Sequence, residues 1–210
     1  MRHLQIIALT FLFYLPVAIG TAYAQNPVGE DFLCLQEMNA SWSFDMRYAT
    51  DNNFLDSAVY PCERCLLRSE VALALCKVND SLQQMGYQLH FFDCYRPLAV
   101  QKQMWAILPD ARYVANPYGN GSSHNRGAAV DLTLADAEGK LLDMGTDHDF
   151  FGEQAHHAYT LLPQGVLENR LLLKQVMAHF GFKAIKTEWW HYSYSGEAYP
   201  IADVPLCETP

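Results

Sequence analysis

The chain has 210 residues, half of them hydrophobic, which is enough for one folded domain of ordinary size. It carries 14 basic and 23 acidic residues, and its net charge at pH 7 is −9. An acidic chain without a basic cluster is poorly suited to bind nucleic acid, so we expect no nucleic-acid partner.

The N-terminus has the layout of a secretory signal peptide. Arg2 provides a short positive start, residues 6–19 are largely apolar, and residues 22–24 form a small-x-small cleavage site. An uncleaved membrane anchor is the alternative, but the apolar run is short for a span of about 20 residues. We therefore interpret residues 1–24 as a signal peptide and residues 25–210 as a mature domain without stable membrane insertion. The mature protein is expected to be secreted, or periplasmic if the source is a Gram-negative bacterium.

All six cysteines lie in the mature part of the chain. An even number in an exported protein favours disulfides, but six cysteines allow 15 pairings and the sequence does not choose among them. Cys62 and Cys65 form a C-x-x-C pair, for which we favour a structural role. A redox pair normally follows a strand in a βαβ unit, and a structural zinc site needs a second such pair. The cysteines are Cys34, Cys62, Cys65, Cys76, Cys94 and Cys207.

Secondary structure in the first half of the mature chain follows from hydrophobic spacing. Residues 66–85 carry apolar side chains at steps of three and four, which predicts a helix that ends at Gly86. Residues 87–94 alternate and predict a strand. Pro97 favours a short helix over residues 97–108, because proline is tolerated in a first turn.

The second half contains a polar loop, two strands and a helix. Residues 116–125 hold proline and glycine and predict a loop, and residues 127–134 alternate as a strand. Residues 166–180 predict a second long helix, and the aromatic segment 189–194 predicts a last strand. Helices and strands do not alternate strictly. We therefore expect a single α+β domain, with a mainly antiparallel central sheet flanked by helices and a zinc site at the sheet.

Two segments carry the chemistry. The first, residues 122–131, places His124 in a loop and Asp131 seven residues later on the polar face of a strand. The second, residues 188–191, offers a carboxylate and an imidazole three residues apart. Two imidazoles and one carboxylate are the ligand set of a catalytic zinc site, in which a fourth position is left for water.

We assign His124, Asp131 and His191 as ligands of one zinc ion per chain, and Glu188 as the general base and later acid. Positions three apart in a regular strand point to opposite faces. Glu188 and His191 can therefore reach one ion only if the backbone bends or bulges around Trp189–Trp190. The same ligands could also take other divalent ions. The other histidines of the mature chain are given ordinary structural or surface roles; they are His90, His148, His156, His157 and His179.

The blocks S-x-H-x-x-G-x-A-x-D and E-x-x-H resemble the signature of the D-alanyl-D-alanine dipeptidases of the vancomycin-resistance type. These enzymes belong to a wider group of zinc proteins with D,D-carboxypeptidases, lysostaphin-like endopeptidases and the hedgehog signalling domain. The similarity covers roughly residues 42–200. Further family-like blocks are residues 45–50, 93–97, 143–146 and 188–192. The export signal and the six cysteines differ from the cytoplasmic resistance enzymes.

The resemblance implies roles for further residues. Arg96 matches the arginine that stabilises the tetrahedral oxyanion, and Asp93 is expected to orient it. Asp149 matches the acidic position that holds the free amino terminus of the dipeptide. Ser122 and Ser123 are expected to lie beside the substrate or to fix the loop that carries the first histidine.

The expected function is therefore zinc-dependent hydrolysis of the small dipeptide D-Ala-D-Ala to two D-alanines, in cell-wall turnover or recycling. The alternative is a D,D-carboxypeptidase or endopeptidase that acts on peptidoglycan stem peptides. A zinc-binding module without catalysis is a third interpretation. Glu188 and Arg96 argue against it, because such a module needs neither a base nor an oxyanion stabiliser. The sequence leaves the oligomeric state open.

Overall fold

The computed structural model describes residues 31–38, 40–196 and 198–207. The predicted signal peptide, residues 1–24, lies outside these residues. No helix in the described part of the chain is long and apolar enough to cross a membrane. The helices are α1 (Ser69–Gln83), α2 (Leu98–Ile107) and α3 (Gln164–His179). The strands are β1 (Phe32–Cys34), β2 (Ser43–Phe44), β3 (Leu66–Arg68), β4 (Tyr87–Asp93), β5 (Ala129–Asp136), β6 (Phe182–Ala184) and β7 (His191–Tyr194).

A five-stranded sheet in the order β2-β4-β5-β7-β6 organises the domain. Strand β2 pairs in parallel with β4, and the other three pairings are antiparallel. The sheet is thus mixed, which corrects the expectation of a mainly antiparallel one. The parallel partner has only two residues, so it is too short to show an alternating pattern in the sequence. Strands β1 and β3 form a separate antiparallel pair.

The three helices lie within two residues of their predicted bounds, except at the start of α1. The predicted helix over 66–85 begins only at Ser69, because Leu66–Arg68 are extended and pair with β1. Of the predicted apolar series, Val71, Leu75, Val78 and Leu82 are buried in α1, whereas Met85 lies beyond the end of the helix and is exposed. Pro97 directly precedes α2, and Gly181 follows α3 with a φ of 90°. Helices α1 and α3 contact each other and pack against the sheet.

Strand β5 lies in the middle of the sheet and shows the predicted alternation. Val130 and Leu132 point to one face, while Asp131 and Thr133 point to the other. All four residues are buried, so the polar face of the strand is covered as well. A buried carboxylate requires partners, and the elements around β5 supply them.

Two disulfides join distant parts of the chain, Cys62–Cys207 and Cys65–Cys94. The two cysteines of the C-x-x-C pair thus bond to different partners, as structural cysteines do. Cys34 and Cys76 carry free thiols.

Candidate metal and active site

The site lies where a single 3-10 turn (His124–Arg126) leads into β5 and where β7 begins beside β5. Asp131 and His191 are direct cross-strand neighbours in the β5–β7 register. Gly127 closes the 3-10 turn with a φ of 67°, and a Cβ there would lie 2.4 Å from Cε1 of Phe32. Only glycine meets both demands, so this residue fixes how His124 approaches the sheet.

Three potential ligand atoms converge at this point. Nε2 of His124 lies 3.1 Å from Nδ1 of His191 and 3.3 Å from Oδ1 of Asp131. Nδ1 of His191 and Oδ1 of Asp131 are 3.0 Å apart. All three side chains are buried. Ligands of a tetrahedral ion with bonds of about 2.0–2.1 Å lie roughly 3.3 Å from each other. The spacing of these atoms therefore fits a single divalent cation.

Hydrogen bonds on the far side of each imidazole orient the rings. Nδ1 of His124 lies 2.7 Å from the carbonyl oxygen of Cys94, which can only accept, so this nitrogen carries a proton and Nε2 is the ring atom left to bind a cation. Nε2 of His191 lies 3.1 Å from Oγ of Ser193 and 3.4 Å from Oγ of Ser123. When Nε2 of His191 carries the ring proton, the lone pair of its Nδ1 atom is directed at the point where the three ligand atoms converge.

The charge of Asp131 is stabilised by its neighbours. In the metal-free protein, burial acts to raise the pKa of this carboxyl, but the charge of protonated His124 and hydrogen bonds from the surrounding imidazoles hold it well below its usual range. Asp131 is therefore a carboxylate. The facing imidazole nitrogens release their protons when a cation binds, so one carboxylate oxygen and two imidazoles are a suitable ligand set for a cation of the zinc type.

Glu188 lies on irregular backbone next to the three ligands. Residues 189 and 190 are bends and β7 starts only at His191, so the predicted last strand over 189–194 is shorter than expected. The expected irregularity is thus present as bends before the strand. They place Glu188 and His191 on the wall of the same cavity. Burial raises the pKa of Glu188 to about 7, although the charge of His191 opposes the shift.

Arg96 lies on the same cavity and is held from two sides. Its Nε and Nη2 atoms donate to Oδ2 of Asp93 at 3.2 and 2.6 Å, and Nη1 donates to Oε1 of Gln101 at 2.9 Å. Asp93 also accepts a hydrogen bond from the Tyr60 hydroxyl at 2.6 Å. Arg96 and Asp93 are both buried, so the guanidinium is fixed in position before any ligand arrives.

Asp149 also faces the cavity. Its backbone has a φ of 58°, which is unusual for a residue with a side chain. Oδ2 accepts a hydrogen bond from the Tyr48 hydroxyl at 2.8 Å and lies 3.3 Å from Nδ1 of His148. Burial raises the pKa of Asp149, while His148 acts in the opposite direction. These contacts orient the carboxylate of Asp149 towards the polar cavity, where a cationic group would stabilise its charge.

Ser122 and Ser123 line the cavity as well. Oγ of Ser122 accepts a hydrogen bond from the backbone N–H of His124 at 3.2 Å. Oγ of Ser123 lies 2.9 Å from Oγ of Ser193 and so belongs to the group that orients His191. Both serines help to build the site, whichever further groups they bind.

Sequence reasoning missed His148 and Tyr48. His148 was given an ordinary role, yet it is buried with Nε2 at 3.4 Å from Oδ2 of Asp131 and Nδ1 beside Asp149. Its position next to Asp149 in the sequence was the available signal. Tyr48 lies in one of the family-like blocks, but nothing in that block identified its contact with Asp149. The other histidines given ordinary roles are not among the described residues that form the metal-ligand group.

The cavity has a volume of about 320 Å³ and contains all eight predicted site residues. This volume is near the lower end for small-molecule sites. The predicted residues are Arg96, Ser122, Ser123, His124, Asp131, Asp149, Glu188 and His191.

Comparison with protein families gives a match over residues 29–206 to the family described as D-ala-D-ala dipeptidase. The chain belongs to this peptidase family. A D-alanyl-D-alanine dipeptidase of Escherichia coli is 39% identical over 75% of this chain and 81% of its own length. A D-alanyl-D-alanine dipeptidase of Enterococcus faecalis is 33% identical over 80% of this chain and 94% of its own length.

Among solved structures, a mutant of the vancomycin resistance D,D-pentapeptidase VanY in complex with Zn(II) aligns with a TM-score of 0.43 and 16% identity. The alignment covers 65% of this chain and 77% of that chain. The residues that the sequence analysis assigned to the site lie around one cavity of this structure. They combine a metal-ligand group with an ionisable carboxyl and a fixed guanidinium, the groups that a metallopeptidase needs.

Proposed function

We propose that this protein hydrolyses D-Ala-D-Ala to two molecules of D-alanine, with one zinc ion per chain held by His124, Asp131 and His191. The observation that carries the proposal is the convergence of their three ligand atoms within 3.3 Å, in a cavity that also contains Glu188 and Arg96. Membership of the D-ala-D-ala dipeptidase family supports the substrate. When bound in such a site, zinc supplies Lewis acidity that polarises a carbonyl and makes water more acidic.

Glu188 moves the proton. Its carboxylate accepts a proton from the attacking water and passes it to the leaving amine. Burial already raises the pKa of this carboxyl to about 7 in the metal-free protein, which favours a group that can both take up and return a proton. The bends at 189–190 are what let this side chain share a cavity wall with His191.

Arg96 stabilises the oxygen on which negative charge develops. Asp93 and Gln101 already hold the guanidinium, so little reorganisation is needed when the charge forms. Removing one donor of this kind typically costs about 3–4 kcal/mol of transition-state stabilisation.

Asp149 receives the free ammonium group of the dipeptide. Both contacts of its carboxylate among the described residues, with Tyr48 and His148, are made to Oδ2, so Oδ1 is available for the substrate. Ser122 and Ser123 offer hydroxyls on the same cavity wall. A partly buried acid at this end favours a substrate with an unblocked amino terminus.

The proposal is tested by metal analysis of the purified protein together with amino-acid release from D-Ala-D-Ala and L-Ala-L-Ala. We expect one zinc per chain and release of D-alanine from the D,D-dipeptide. Glu188→Ala is expected to abolish turnover while zinc remains bound. Near-native activity of that variant would overturn the mechanism.

A second candidate is a D,D-carboxypeptidase or endopeptidase acting on peptidoglycan stem peptides. One observation favours it: a neighbouring cavity of about 370 Å³ shares Glu188 with the first and is walled by Tyr113, Phe150 and Phe151. A longer peptide would extend into this space. Cleavage of N-acetyl-D-Ala-D-Ala at a rate comparable with the free dipeptide would favour this candidate over the dipeptidase.

We further propose that residues 1–24 direct export and that the enzyme degrades dipeptide released during cell-wall turnover. Two disulfides in the domain support an oxidising compartment, where such bonds persist. Fractionation of the source cells tests this location. Protein found only in the cytoplasm would remove the proposed role and leave the chemistry untouched.

A further inference from the structure

Cys94 lies inside the scaffold of the site, although the proposed reaction does not use it. Its sulfur is bonded to Cys65, and both residues are fully buried. Its carbonyl oxygen accepts the hydrogen bond from Nδ1 of His124 at 2.7 Å. One residue thus joins a disulfide directly to the orientation of a metal-ligating imidazole.

The segment 93–96 connects the same disulfide to Arg96. The N–H of Cys94 donates to Oδ1 of Asp93 at 2.9 Å, and the other oxygen of Asp93 holds the guanidinium. The backbone N–H of Arg96 donates to the carbonyl oxygen of His124 at 3.1 Å. A shift of this segment would move the ligand and the oxyanion donor together.

Regular sheet pairing does not hold this segment. Strand β4 ends at Asp93, its pairing with β5 is already irregular between Phe91 and Asp93, and residues 94–97 belong to no strand or helix. One backbone hydrogen bond, from Tyr95 to the carbonyl of Leu66 at 2.9 Å, links it to β3. The disulfide adds a covalent link to the residue that directly precedes that strand.

We propose that the Cys65–Cys94 disulfide is a positioning element of the active site, which holds His124 for the metal and Arg96 for the oxyanion. The catalytic half of this inference rests on the proposed function, whereas the metal-binding half does not. Loss of the bond is therefore expected to weaken zinc binding and to lower kcat, beyond any general loss of stability.

The second disulfide provides a matched control. Cys62–Cys207 joins residues 145 apart, against 29 for Cys65–Cys94, and neither of its cysteines lines the cavity. Stabilisation by a disulfide grows with the length of the loop that it closes. Removing Cys62–Cys207 is thus expected to lower the Tm at least as much, without a comparable effect on the site.

The experiment compares the full chain with Cys65→Ala/Cys94→Ala and with Cys62→Ala/Cys207→Ala. Zinc Kd is measured by competition with a chelator, the ligand field by the visible spectrum of the cobalt(II) form, and kcat and KM with D-Ala-D-Ala. Mass spectrometry confirms that the remaining disulfide is native. We expect the first variant to bind zinc roughly 10–100-fold more weakly, with an altered cobalt spectrum and a lower kcat. The control is expected to stay within about threefold of the unmodified protein.

Equal zinc Kd and equal cobalt spectra in the two variants would overturn the proposal, whatever their Tm values. If the alanine pair does not fold, Cys65→Val/Cys94→Ala fills more of the buried volume and is measured in the same way. Failure of the proposed function is distinguishable. Unmodified protein that binds zinc but does not cleave D-Ala-D-Ala would refute the dipeptidase, while the zinc affinities would still decide the role of the disulfide.

Discussion

Glu188→Gln changes a proton-carrying group without changing its size, and it separates stability from catalysis. Burial raises the pKa of Glu188 from the usual 4.5 to about 7 in the folded protein. Between these values the folded state binds more protons than the unfolded state, so the carboxyl lowers stability progressively as the pH rises from 4.5 to 7. Above pH 7 the loss is complete. Glutamine has no such dependence.

The magnitude follows from the two pKa values. In the metal-free protein the cost of ionising Glu188 is about 0.8 kcal/mol at pH 5 and about 3.3 kcal/mol at pH 8. Glu188→Gln is therefore expected to gain about 2.5 kcal/mol relative to the unmodified protein between these two pH values. Any hydrogen-bond difference of the amide is independent of pH and cancels in this comparison.

Urea unfolding in the presence of a metal chelator, with the disulfides intact, measures this difference at pH 5 and pH 8. Glu138→Gln, at an exposed turn position after β5, is the control and is expected to show little pH-dependent change. A stability difference for Glu188→Gln that is the same at both pH values would refute the raised pKa of this partly buried carboxyl. In the zinc-loaded protein the same variant is expected to lose roughly 10²–10⁴-fold in kcat while zinc content is unchanged.

Three further substitutions test other parts of the site and its scaffold. Arg96→Lys is expected to lower kcat/KM for D-Ala-D-Ala by about 10²–10³-fold with zinc retained, because a single ammonium cannot reproduce the paired contacts of the guanidinium; steady-state kinetics and metal analysis check this. Asp149→Asn is expected to raise KM for the free dipeptide and to reduce the preference over N-acetyl-D-Ala-D-Ala, and an unchanged preference would exclude Asp149 as the amine-binding group. Gly127→Ala is expected to lower the free energy of unfolding by about 2–3 kcal/mol in urea titration, since it adds both backbone strain and a clash with Phe32.

The identity of the metal ligands and of the base could be predicted from the sequence, because these residues lie in two short blocks of the chain. His124 and Asp131 are separated by one turn and the start of a strand, and Glu188 and His191 by two bend residues. The distance between these two blocks could not be predicted. It depends on the β5–β7 register, which pairs residues 60 positions apart.

The contacts behind the site were less accessible to sequence reasoning. The two ring nitrogens of His148 contact Asp131 and Asp149, but its one signal in the sequence, the position next to Asp149, does not reveal the contact with Asp131. The short strands β1, β2 and β6 escaped prediction because two or three residues are too few to show an alternation.

By itself, the sequence determined the residue types that can bind a metal, the two long helices, the central strands and the family to which the chain belongs. These depend on the spacing of residues along the chain, which is the same whatever tertiary contacts the chain makes. Only the tertiary structure decided the parallel edge strand, the pairing of four cysteines and the burial that raises the pKa of Glu188. Each of these depends on contacts between residues far apart in the chain, and such contacts are created by packing around one shared core.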